Sequence, residues 1–370
     1  MTNIRDHIGA DNPEDIAGVR RRLLRWYDRE QRDMPWRHTS DPYHIWVSEI
    51  MLQQTRVEAV IPYYKNFLRQ FPSVAHLARA SNERVLTSWS GLGYYSRARN
   101  LHRAAKRVQS DHGGVFPVEE QAALDLPGVG RYTASAILSI AYGVPLAVLD
   151  GNVARVLSRL RTVRAEVKNT AGRKTLWRLA QEILDTRRPG DFNQAMMELG
   201  ATICLPGQPR CGSCPLRKDC RAHLQDVTGE YPPARVRARE KSLKLVAAVV
   251  WDRAGKYLLE RRPASSSWLA GFWELPMWPA AAQTSKNGHS GSSSKARLKL
   301  VRPLGTIRHS ITQFRIEVEV WQAVVTNNKQ ADFETKSSKW VDLAAIKKLP
   351  ATTITRKALA MIGERKEEQE

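Results

Sequence analysis

The hydrophobic positions change period part-way along the chain. From residue 13 to about 200, apolar residues recur every three or four positions, the spacing that lines one face of an α-helix. Asn12-Pro13-Glu14-Asp15 reads as a helix start: a cap residue, proline at the first position, then acids in the first turn. Val19, Leu23, Trp26 and Tyr27 follow on one face. The same periodicity predicts helix in Tyr43 to Phe67, Ser81 to Trp89, Ser96 to Gln109, Tyr132 to Tyr142, Val153 to Leu160 and Ala171 to Leu184. After Cys220 the pattern shifts. Tyr231-Pro232-Pro233 opens a linker, and Arg235 to Lys244 holds five basic residues and one acid. Leu243 to Trp251, Lys256 to Glu260 and the alternating Thr312 to Trp321 then read as strands. Residues 281–295 are rich in Ser, Gly and Lys and read as a flexible loop. The charged tail from Glu364 to Glu370 is expected to fray. The expected plan is multidomain: an all-α domain over 1–230, a basic linker over 231–243, and a smaller α+β domain over 244–370.

Composition narrows the class of partner. Among 370 residues, 58 Lys+Arg against 37 Asp+Glu leave a net charge of +21. That excess predicts attraction to a polyanion and says nothing about fold. A merely soluble basic protein is the plain alternative. Met1 to Asp15 has no apolar core of the kind a signal peptide needs. The longest apolar stretch, Ala134 to Leu149, is broken by Ser135, Ser139, Gly143 and Pro145, and is too short and interrupted to span a bilayer. The expectation is a soluble cytoplasmic monomer with no membrane partner, nucleoid-associated if bacterial.

Chemistry concentrates at a few places. All four cysteines, Cys204, Cys211, Cys214 and Cys220, fall in the spacing C-x6-C-x2-C-x5-C. A disulfide scaffold would spread them along a short secreted chain, so this cluster reads as a metal site. Structural zinc sites usually separate two ligand pairs by a dozen residues or more; the compact spacing favours a [4Fe–4S] cluster, with zinc as the alternative. Arg210, Arg217, Lys218 and Arg221 surround the loop and suit either phosphate or the cluster's own charge.

Leu126-Pro127-Gly128-Val129-Gly130 lies between two helical patterns. Gly128 and Gly130 allow a tight turn, and the helix that follows offers backbone N–H groups to a phosphate. Asp150 begins a new helix twenty residues after Gly130; it reads as an N-cap, as an anion facing a developing cation, or as both. Glu49 is the lone carboxylate in Ile45 to Leu52. If buried there, its pKa rises and it becomes a general acid; the alternative is a surface glutamate whose apolar neighbours point elsewhere. Gln53-Gln54-Thr55 follows, with groups suited to a base edge. Tyr94 and Tyr95 beside Arg97, Arg99 and Arg103 combine stacking surface with phosphate-binding charge, or are core tyrosines beside a solvated basic face.

Taken together, Pro35-Trp36-Arg37, Trp46 to Thr55, Gly91-Leu92-Gly93-Tyr94-Tyr95, the 126–130 hairpin, Asp150-Gly151-Asn152-Val153 and the four cysteines resemble the helix-hairpin-helix DNA glycosylase superfamily and, within it, the MutY family. The resemblance covers nearly all of residues 20 to 220. It implies that Glu49 protonates a flipped adenine and Asp150 stabilises the oxocarbenium-like sugar, with Tyr132 and Asn152 supporting that carboxylate. It further implies that Gln54 and Tyr94 enter the stack beside the damaged guanine, with Arg37, Thr55, Arg97, Gly128 and Gly130 also on DNA. The implied partner is double-stranded DNA containing A:8-oxoguanine or A:G mismatches. Endonuclease III carries a Schiff-base lysine just after the hairpin; here that position is Tyr132, which implies excision without an efficient lyase step. The C-terminal part, from Ala247-Ala248-Val249-Val250 through Trp268 to Pro276, resembles the Nudix-like domain of the same family, without the Glu-rich helix that Mg²⁺-dependent hydrolysis needs. Its usual Phe-Ser-His loop for 8-oxoguanine aligns with Ile311-Thr312-Gln313, just after His309-Ser310. His309, Ser310 and Thr312 are the damaged-base candidates, and the aromatic and the imidazole of the usual loop are missing here. The competing readings are a glycosylase for another base and a catalytically silent Fe–S protein that only binds DNA; a binder has no need of Glu49.

Overall fold

The computed structural model describes residues 13–164, 170–233, 240–266, 268–280, 297–311, 313–326 and 333–367. Asn12, the loop 281–295, Thr312 and most of the basic stretch after Pro233 lie outside them. The chain divides into two compact units, one drawn from residues 1–80 and 97–236, the other from 81–96 and 237–370.

The helices in chain order are α1 Pro13–Glu30, α2 Pro42–Leu52, α3 Val57–Gln70, α4 Val74–Arg79, α5 Asn82–Ser88, α6 Ser96–Asp111, α7 Glu120–Leu124, α8 Arg131–Tyr142, α9 Gly151–Arg161, α10 Thr170–Ile183, α11 Pro189–Thr202 and α12 Arg221–Leu224. All but α5 belong to the first unit. The Tyr43 to Phe67 periodicity is two helices, because the chain leaves helical geometry at Gln53 and Gln54 before α3 begins. Four helices, α4, α7, α11 and α12, are not evident from periodicity.

Local chemistry sets the helix ends that matter. Asp41 caps α2, its Oδ1 accepting from the Tyr43 N–H at 2.8 Å, with Pro42 at the first position. Glu49 sits in the last turn of this helix, which packs on α8. Between α7 and α8, the Val129 N–H closes a turn on the Leu126 carbonyl at 3.1 Å. Gly128 there holds φ +79°, and a Cβ would stand 2.6 Å from the Asn100 Cβ, so only glycine fits. α11 packs on α1, α8 and α9. It passes so close to α9 that a Cβ at Gly200 would meet the Asn152 Cβ at 2.5 Å. The core of this unit includes Trp177, Phe192, Met196 and Leu216, and three of the four cysteines pack against its edge. No described helix is long and apolar enough to cross a membrane.

The second unit is α+β. Its strands are β1 Lys241–Val249, β2 Tyr257–Arg261, β3 Trp273–Glu274, β4 Met277–Pro279, β5 Leu298–Ile311, β6 Phe314–Val325 and β7 Ser338–Val341, followed by α13 Leu343–Lys348 and α14 Thr353–Glu367. One sheet runs β4-β1-β6-β5 and the other β3-β2-β7. β1 pairs parallel with β6 from Lys241↔Phe314 to Val249↔Gln322, while β5 and β6 form an antiparallel hairpin. β1 begins inside the segment expected to be linker. Residues 81–96, expected in the helical domain, group with this second unit instead. Their Thr87 hydroxyl donates to the Lys348 carbonyl at 3.4 Å, and the Tyr95 ring packs 4.2 Å from that of Phe272.

Candidate active site

Glu49 and Asp150 both line one cavity of about 600 Å³ in the helical unit, within the usual range for a small-molecule site. Glu49 is 5 % exposed. Its Oε2 accepts a hydrogen bond from the Tyr132 hydroxyl at 2.9 Å, and the same hydroxyl lies 3.2 Å from Met197 Sδ on α11. Asp150 caps α9: Oδ1 accepts from the Val153 N–H at 2.7 Å and Oδ2 from Asn152 Nδ2 at 3.0 Å. Asn152 Oδ1 in turn accepts from Arg155 Nη2 at 2.9 Å, which points the amide nitrogen at the carboxylate.

Counting donors assigns different characters to the two acids. Burial pushes the Glu49 carboxyl up to about 7; the single Tyr132 hydrogen bond opposes this and the nearby Asp150 charge adds to it. Burial also holds the Asp150 carboxyl above its ordinary value, although the Val153 N–H, both nitrogens of Asn152 and the Arg155 charge pull the other way. Asp150 thus accepts more hydrogen bonds than Glu49, and these favour its charged form more than the single Tyr132 bond favours that of Glu49. Burial, then the Glu49 charge, holds the Tyr132 hydroxyl well above its ordinary value, so it stays a donor.

The roles expected from sequence are partly redistributed. Asn152 supports Asp150 as expected; the hydrogen bond of Tyr132 goes to Glu49 instead. Two arginines expected on DNA turn inward. Arg37 donates to Glu198 Oε2 at 2.9 Å and to the Arg32 carbonyl at 2.8 Å. Arg97 is buried against backbone carbonyls at the end of α2 and against Thr55 Oγ1. Each guanidinium finds carboxylate or carbonyl acceptors inside, which outcompete exposure to solvent. Gln54 is exposed at φ +59°, and Tyr94 is 44 % exposed at φ +48°. Gly128 and Gly130 line the cavity beside the uncapped start of α8. In the second unit, Ser310 on β5 is exposed and accepts from Arg315 Nη1 at 2.9 Å. His309 is half-buried, and burial, then Lys357, lowers its pKa.

Glu198 is the site residue the sequence did not bring forward. It lines the same cavity on α11 and accepts from Arg32 Nε at 2.6 Å, Arg32 Nη2 at 3.0 Å and Arg37. Burial alone would raise its carboxyl; the two arginines overcome that and hold it below the ordinary value. The signal was available: one acid inside the apolar run Ala195-Met196-Met197-Glu198-Leu199.

The four cysteines are free, and all line one small cleft of about 30 Å³ together with Arg159 and His223. Arg159 Nη1 lies 3.4 Å from Cys204 Sγ. Burial pushes the Cys214 thiol up to about 12, and the neighbouring cysteines push the same way. Among the described residues no group of three His, Cys, Asp or Glu side chains encloses a single metal ion. Four thiols that repel one another as thiolates around a common cleft are a donor set suited to a group that takes all four.

Residues 47–182 match the HhH-GPD superfamily of base excision DNA repair proteins, and residues 246–361 match the NUDIX domain. The human adenine DNA glycosylase is 36 % identical over 397 residues, covering 90 % of this chain and 72 % of that protein. The chain belongs to the adenine DNA glycosylase family. A mouse member is 44 % identical over 264 residues, covering 66 % of this chain and 51 % of its own length, so the chain spans about half of that relative. Among solved structures, a thermostable thymine-DNA glycosylase is 31 % identical, with a TM-score of 0.53, covering 57 % of this chain and 98 % of that one. The architecture is that of the family: a helix-hairpin-helix glycosylase domain and a Nudix-like C-terminal domain.

Proposed function

We propose that this chain hydrolyses the N-glycosidic bond of adenine mispaired with 8-oxoguanine or guanine in duplex DNA, without a strand-cleaving step. The observation that carries this reading is Glu49: a buried carboxyl held near pKa 7 in a cavity shared with a hydrogen-bonded carboxylate. Adenine leaves poorly as an anion and well once a ring nitrogen is protonated. Glu49 donates that proton, the C1′–N9 bond breaks, and its electron pair leaves with the base. Asp150 then faces the positive charge left on the sugar. A water oxygen adds at C1′ and its proton restores a carboxylic acid. The base must leave the duplex to reach these groups; Gln54 and Tyr94 fill the stack, and the N–H groups around Gly128 and Gly130 hold a phosphate. None of the described cavity-lining residues is a lysine, and Tyr132 stands just after the hairpin, which supports a reaction without a Schiff base.

Cys204, Cys211, Cys214 and Cys220 would hold a [4Fe–4S] cluster, whose thiolates stand around a volume, as these four stand around a cleft. In the C-terminal unit His309 and Ser310 are the described candidates for contact with the opposing guanine.

The test is single-turnover excision on A opposite 8-oxoguanine, A opposite G, T opposite G, and thymine glycol opposite A, with and without alkali. Adenine release that breaks strands only after alkali is the expected result. Activity on the pyrimidine substrates alone, or strand cleavage without alkali, would overturn the proposal.

A further inference from the structure

Arg97, the second residue of α6, is buried although its sequence neighbours are basic and its side chain was expected on a phosphate. Its Nη1 lies 2.9 Å from the Ile50 carbonyl oxygen, 2.8 Å from that of Met51, and in hydrogen-bond contact with that of Gln53. Its Nη2 donates to Thr55 Oγ1 at 3.2 Å. α2 ends at Leu52, so Ile50 and Met51 carry two of the last four carbonyls, which have no partner inside a helix. A cation there also meets the negative end of the helix dipole.

The other two acceptors flank Gln54. That residue holds φ +59°, a conformation L residues with a Cβ adopt only where the surroundings impose it. Its side chain is exposed. One planar fork therefore ties down the last turn of the helix that carries Glu49 and both shoulders of the turn that presents Gln54. A lysine at this place would keep the charge, but its single nitrogen cannot span these acceptors.

We propose that Arg97 is a positioning residue for base extrusion: by clamping the 53–55 turn it keeps Gln54 in the left-handed conformation from which its side chain enters the base stack. This rests on the proposed role of Gln54 as a stack-entering residue. Arg97 touches neither the base nor the sugar; it acts through Gln54.

The test uses the full chain and a duplex carrying 2-aminopurine beside the mispair, which brightens when the stack opens. Arg97→Lys, Gln54→Ala and the double variant are compared with the parent for brightening, single-turnover excision and melting temperature. Arg97→Lys is expected to stay folded while brightening and excision fall about tenfold, because charge-assisted hydrogen bonds to the turn are lost. The double variant is expected to be no worse than Gln54→Ala alone, since both remove the same event. A purely structural role gives losses that multiply in the double variant, or brightening that Arg97→Lys leaves intact; either result overturns the proposal. Should Arg97→Lys fail to fold, Thr55→Val removes one acceptor and leaves the guanidinium buried. It is expected to show a smaller loss, again absent on top of Gln54→Ala; multiplying losses there overturn the proposal as well. Brightening without adenine release would sink the proposed function and leave Arg97 to be judged by brightening. Equal brightening by the parent and Gln54→Ala would remove the role of Gln54 and this inference with it.

Discussion

Glu49→Gln should abolish excision and, at neutral to alkaline pH, make the protein more stable. The carboxyl titrates at about 7 in the folded chain against an ordinary value of 4.5. A carboxyl raised on folding contributes most favourably below its unfolded value; that contribution is lost as pH rises through the interval between the two values and is gone above the folded one. The unfolded chain ionises freely from pH 4.5, while the folded chain must either keep the proton or bury a charge. The accumulated cost above pH 7 is about 3 kcal/mol, from a shift of roughly 2.5 units at 1.36 kcal/mol each. Between pH 5.5 and 8 the cost grows by about 2 kcal/mol on the same arithmetic. A glutamine has no proton to lose, and its Oε1 can still accept from Tyr132. Urea unfolding followed at 222 nm, where the all-α unit dominates the signal, reads the difference. The variant's advantage should be small at pH 5.5 and larger by about 2 kcal/mol at pH 8, which is roughly 4–8 °C in melting temperature for a unit of this size. In the parent, single-turnover excision should fall as pH rises through about 7, where Glu49 loses its proton. A stability gap independent of pH would refute the reasoning: Glu49 would then titrate normally, and the general-acid assignment would lose its physical basis.

How far the sequence carried this reading depends on whether the deciding contacts were local. The cysteine spacing and the glycine turn at 126–130 are short-range features: the four cysteines line one cleft, and 126–129 closes as a turn. Asp150 was readable as a cap because a cap bonds only three residues on. Glu49 was not decidable from pattern. Eight of the eleven residues of α2 are buried, so the helix has no polar face to place the acid on or off. Arg37 and Arg97 show the converse. Sequence displays their charge and hides their direction, because the acceptor of one lies 161 residues away and those of the other are mainly main-chain oxygens. α11 carried signals that were available, Pro189 at its first position and Asp191 in its first turn. β5 carried none as clear, since the register shifts at Leu300/Arg302 and Pro303/Gly305 break the alternation a strand is read from. That residues 81–96 join the second unit rests on Lys348 and Phe272, far along the chain, and no local pattern could show it.

Three further outcomes follow from the same geometry. Asp150→Asn keeps a good N-cap residue for α9 but removes the anion, so helical signal and melting should persist while adenine excision is lost; retained excision would separate Asp150 from the chemistry. Cys214→Ser should lower bound iron and the broad visible absorbance of a cluster, together with stability; full iron loading in that variant would refute the ligand assignment. Glu198→Ala should destabilise the helical unit by about 3–5 kcal/mol, because Arg37, whose side chain is 7 % exposed, would remain as a buried cation with its carboxylate removed. The parent's own dependence has the opposite sign to that of Glu49: a carboxyl held below its ordinary 4.5 contributes stability above that value and loses it as pH falls through the folded one. Adding Arg37→Met to Glu198→Ala should recover much of the loss, since the stranded charge leaves with its partner. If the double variant were as unstable as the sum of the two single ones, the cost would lie in lost packing between α11 and the 35–37 segment, and the ion pair would not be what holds the cavity wall.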